Sequence, residues 1–145
     1  MAIEPIDWLS KALDMFPELE DKFEYAHISP MSFWIELHLA LLHAYEQQPS
    51  NDDLIGRIYD YAAWCFDQPQ TNSAETDLST AVACCLIEHL PLDRAVAEDL
   101  HRWMSAESFD GFESVFRYHL SEEQYITFRN DFMRRKRMYS GASRL

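Results

Sequence analysis

The chain has 145 residues, 48% of them hydrophobic and only three of them glycine, which suits one globular core and excludes disordered tails, collagen-like repeats and Gly-rich phosphate loops. Charge is segregated: residues 1–128 carry six Lys/Arg against 24 Asp/Glu, whereas 129–145 carry six basic side chains against Asp131 alone. A net charge of −13 repels nucleic acid and anionic membranes and steers basic protein surfaces toward the chain.

Apolar residues recur at spacings of three and four almost throughout, which predicts an all-α fold. Ile6, Leu9, Leu13 and Phe16 share one face of a helix over 5–16, Pro17 ends or restarts it, and 18–27 reads as a short acidic helix. Pro30 then breaks the chain, because proline disfavours helical geometry in the residue before it, and Ser32 is placed to cap a helix over 33–47. That helix is apolar nearly all round, as expected of a central one. His38 reads as a core histidine, and Glu36, His43 and Glu46 form a narrow polar stripe.

After Pro49, a stripe of Leu54, Ile58, Tyr61/Ala62 and Cys65 predicts a helix ending near Asp67, with Asp53 and Arg57 paired on its wet side. The polar run 68–74 is the longest loop, and Asn72 or Ser73 can start the next helix. Residues 78–87 carry no charge and read as a second buried helix that Pro91 ends, Glu88 and His89 having no evident chemical role. Asp93 caps a helix bearing Val96, Leu100 and Trp103/Met104, and Phe109, Phe112, Phe116 and Leu120 mark another. Ser121 with Gln124 forms a capping box for the last helix, whose stripe is Tyr125, Phe128 and Phe132 and whose basic end suits the helix dipole.

The expected architecture is one domain over 1–139 with six or seven helices, as antiparallel hairpins in an irregular bundle or short helical stack, and a frayed tail over 140–145. Cys65, Cys84 and Cys85 read as packing residues rather than a disulfide framework. The N-terminus lacks a basic signal-peptide region and no apolar run approaches 18 residues, so a cytoplasmic location is expected.

Two constellations bear on function. Asp53, Tyr59, Asp60, Tyr61, Trp64 and Asp67 combine acids with aromatic side chains, the composition of a surface that recognises a basic protein. Two Glu-x-x-His spacings, Glu24 with His27 and Glu98 with His101, together with Glu36 and Glu88, supply the ligand types of a di-metal carboxylate site on a helical bundle. No Ser/His/Asp, Cys/His or zinc-finger signature stands beside them. The basic run 134–137 offers the one segment suited to phosphates, although packing against the acidic body accounts for it more simply.

Phe16, Pro17, Glu18 and Leu19, a helix centred on Trp34, the Tyr61, Ala62, Ala63, Trp64 segment and the run 81–90 together resemble small, acidic, all-helical bacterial domains of uncharacterised or toxin-immunity type. The resemblance implies a non-enzymatic domain without a cofactor that blocks a basic partner. It covers about residues 6–120, and no catalytic residues come with it. The residues leave two other readings open: a metal-dependent helical enzyme, and an oligomeric structural module.

Overall fold

A computed structural model describes residues 8–22, 28–73 and 76–145, and these are helical with no strand among them. Helix α1 spans Trp8–Met15, and Pro17–Lys22 follows as a 3₁₀ segment in place of the expected acidic α-helix. Helix α2 spans Pro30–Glu46 and starts three residues earlier than expected. Ser29, not Ser32, is its N-cap: the proline that was read as a breaker holds Ser29 extended, which is the cap conformation, and Pro30 occupies the first turn, where no amide donor is needed. Ser32 completes the capping box from inside the helix.

Helix α3 (Asp52–Phe66) begins at Asn51, whose side chain accepts from the Leu54 amide. Asp77, rather than Asn72 or Ser73, caps α4 (Leu78–Cys85), and Pro91 lies inside the 3₁₀ segment Ile87–Leu92 that follows. Asp93 caps α5 (Arg94–Asp99), continued by a 3₁₀ turn over Leu100–Arg102. The single helix expected around Phe109–Leu120 is divided into α6 (Ala106–Gly111), α7 (Glu113–Phe116) and a 3₁₀ turn over Arg117–His119. Helix α8 (Glu122–Arg137) carries the expected Ser121/Gln124 capping box. The described elements are thus more numerous and shorter than the six or seven helices expected.

One core joins them. Phe16, Phe33, Trp34 and Tyr61 interlock on the α1–α2–α3 side, with Trp34 stacked on Tyr61 at 5.3 Å. On the other side Phe109 stacks on Phe132 of α8 at 4.2 Å, with Phe116 and Phe128 against it. Burying each such ring contributes about 1.5–3 kcal/mol of apolar transfer free energy, and the paired rings add about 0.5–1.5 kcal/mol. Two expectations of burial do not hold: Ile35 and Leu39 leave one face of α2 open, and Cys84 is exposed while Cys65 and Cys85 are packed inside. Residues 143–145, expected to fray, are held instead, because the Arg144 and Leu145 amides donate to the Trp103 carbonyl at 2.8 Å and Lys136 donates to Ser143. No helix among the described residues is long and apolar enough to cross a membrane.

Candidate functional site

Helix α3 places four of the six proposed partner-binding residues on one side. Successive residues turn by about 100°, so Asp53, Arg57, Asp60, Trp64 and Asp67 fall within an arc of about 80° on its outer surface. Tyr59 and Tyr61 do not belong to that surface. Both are fully buried, Tyr59 stacked on Trp103 and Tyr61 among the rings of the core, and they support the helix rather than meet a partner. Burial, foremost, pushes both phenols well above their ordinary pKa.

The acids of the stripe already hold cations of this chain. Arg57 bridges Asp53 on α3 and Glu18 on the 3₁₀ segment at 2.6–3.0 Å, and also donates to the Met15 carbonyl. Arg144 reaches Asp60 at 2.6 Å. It crosses α3 at Gly56, where an added Cβ would stand 3.2 Å from the Trp103 ring and 3.8 Å from the Arg144 guanidinium carbon, so a small residue permits the approach. Lys11 lies 5.8 Å from the ring of Trp64, which is half-buried, and Asp67 at the end of the stripe is exposed.

Eight of the nine arginines pair with a carboxylate, including Arg129, Arg134, Arg135 and Arg144 of the basic segment. Lys136 donates to the His101 carbonyl at 3.1 Å. Arg129 and Arg144 thus pair with acids of the body, whereas Arg134 and Arg135 of the run 134–137 pair with Asp131 on their own helix.

A polar hub lies beside α3. Asp99 Oδ2 accepts from the Tyr45 hydroxyl at 2.6 Å, Arg102 Nη2 at 2.8 Å and the Trp103 indole at 2.9 Å, while Oδ1 accepts from Arg102 Nε. Burial opposes ionisation of this carboxyl, but the Arg102, Tyr45 and Trp103 hydrogen bonds outweigh it and hold Asp99 below the usual carboxylate range.

Of the six residues expected to supply metal ligands, the four that are described, Glu36, Glu88, Glu98 and His101, form no common group. Glu24 and His27 lie outside the described residues. Glu98 pairs with Arg94 at 2.8 Å, and His101 sets its ring edge-on to Tyr139 at 5.6 Å. Glu36 joins no group of ligand side chains among the described residues. Glu88 does belong to one, but with His89 and His119, two residues the Glu-x-x-His spacing does not select.

That second cluster stands on the 3₁₀ segments Ile87–Leu92 and Arg117–His119. Ile87 and Leu90 are buried and anchor the first, leaving Glu88 and His89 to face the second. His119 Nε2 lies 2.7 Å from Glu88 Oε1, the His89 and His119 rings stack at 5.3 Å, and His38 of α2 also stacks with His89, at 5.4 Å. Burial and the neighbouring His89 ring lower the His38 pKa and favour its neutral form. Nothing local in the sequence marks this set, since His119 is 31 positions from Glu88 and arrives by the folding of α5 to α7.

No family model, no curated protein and no solved structure matches this chain.

Proposed function

We propose that the chain is a non-enzymatic protein-binding domain whose acidic outer stripe on α3 receives a basic protein partner. The observation that carries this reading is the Arg144 guanidinium on Asp60: the stripe already binds a cation presented from outside the helix, with a tryptophan alongside. Asp53, Asp60, Trp64 and Asp67 are the contact residues, and Tyr59 and Tyr61 hold them in place from below. With almost every arginine engaged internally, the excess charge left to face a partner is negative, which favours a basic protein over nucleic acid. A toxin with a basic, phosphate-binding cleft is the kind of partner such a stripe would block, as in the immunity reading of the sequence.

The test is capture at low salt from the native host with the wild-type chain and with Asp60→Lys and Trp64→Ala. One basic protein recovered near stoichiometry, lost in high salt and reduced at least tenfold by either substitution, is expected. Unchanged recovery with both variants sinks the stripe as the interface.

A further inference from the structure

Glu88, His89 and His119 have the composition and spacing of a transition-metal site, and it lies apart from the α3 stripe. We propose that these three side chains bind one divalent ion of the zinc class, with the fourth coordination position left to water.

The argument rests first on convergence. One ligand atom from each residue lies within 4.8 Å of the others. A tetrahedral ion with bonds of about 2.0–2.1 Å needs its donors about 3.3 Å apart. The Glu88–His119 pair, at 2.7 Å, is already closer than that. His119 is the side chain placed to adjust, since it ends a 3₁₀ turn and is about one-third exposed. Glu88, 18% exposed, sits at the edge of the fold, so an ion reaches the cluster from solvent.

The second ground is donor chemistry. Two imidazoles and one carboxylate suit a borderline cation such as zinc, whereas magnesium and calcium prefer all-oxygen shells. A ligand histidine offers the lone pair of one ring nitrogen, and His89 and His119 each have one to bring to Glu88. His38 stays outside the donor set and fixes the plane of His89 by stacking.

The third ground is what surrounds the set. The exposed histidine on α2, His43, pairs 3.6 Å from Glu46 with both side chains three-quarters exposed, and joins no three-ligand group among the described residues. Close approach of imidazole and carboxylate alone therefore does not assemble a site in this chain; the cluster at 88, 89 and 119 has a third donor and a packed base.

The experiment is calorimetric titration of chelator-treated full-length protein with zinc chloride in a non-coordinating buffer, repeated with magnesium. One equivalent of zinc bound, with no magnesium heat, is expected, and His89→Gln and His119→Gln should each weaken binding at least tenfold while His43→Gln leaves it unchanged. Cobalt gives a second readout, since a tetrahedral site produces strong visible absorption that vanishes in the same two variants. Circular dichroism checks that the variants keep their helices; should either unfold, imidazole NMR of the wild type decides, with His89 and His119 expected to shift on titration and His43 to stay. No saturable zinc heat, unchanged affinity in both folded variants, or shifts at His43 alone overturns the proposal.

Discussion

Asp99 and Glu88 are equally shielded carboxylates, with side chains 20% and 18% exposed, yet they are used in opposite ways. Asp99 is saturated by three side chains, of which the guanidinium and indole can only donate, so it fastens α2, α3 and α5 to one another. Among the described residues Glu88 has one hydrogen-bond partner, the His119 imidazole, whose nitrogen can either donate a proton or offer a lone pair, as the proposed ion requires. Depth alone does not separate a structural carboxylate from a ligand; the chemistry and number of its partners do.

The largest effect that sharpens this contrast is Asp99→Ala. Removing the acceptor strands the Tyr45 hydroxyl, Arg102 and Trp103 donors together, and a loss of about 2–3 kcal/mol is expected by urea denaturation. Glu88→Gln at equal exposure should cost less than about 1 kcal/mol, because one partly exposed pair is all it removes. A Glu88 variant as damaging as the Asp99 one would erase the distinction.

Acid titration gives the next effect. The folded-state pKa of Asp99 is depressed, so its contribution is fully present above the unfolded carboxylate value of about 3.9 and is lost as pH falls through the lower folded value. Urea midpoints for the wild type should drop steeply below about pH 4, and Asp99→Asn should flatten that drop. Arg144→Ala is the smallest: about half-exposed, its pair with Asp60 should contribute no more than about 1 kcal/mol, while its loss should raise affinity for a basic partner by vacating Asp60. Lower partner affinity in that variant would mean the tail is part of the interface rather than a competitor for it.

What the sequence disclosed follows from how local each signal is. The Ser121/Gln124 capping box, the Asp93 cap, the α3 stripe and the Asp53–Arg57 pair all lie within a few residues of one another, and each stands where its spacing predicts. Pro30 misled because the same restriction on Ser29 that ends one helix also prepares the cap of another. The segment over 106–119 reads as one periodic helix, yet the chain leaves α-geometry at Phe112, whose ring packs on Phe66 at 5.1 Å. The candidate sites divide in the same way. Residue type groups Asp53, Tyr59, Asp60, Tyr61, Trp64 and Asp67 together, and helical spacing, applied to that set, turns Tyr59 and Tyr61 inward and the other four outward. The histidine cluster is assembled from three separate segments, and no periodicity could have brought His119 to Glu88.

The close passage of Arg144 over Gly56 and the Trp103 ring makes the chain its own optical reporter. The Trp103 indole is 7% exposed, covered by the strap at 143–145 and anchored through Nε1 to Asp99. Displacing that strap, by a substitution that frees it or by a partner that competes for Asp60, would admit water to this indole and shift its share of the tryptophan emission to the red. Emission from Trp103 therefore reports the strap rather than Asp60 itself, because the backbone bonds to Trp103 hold 143–145 independently of that side-chain pair.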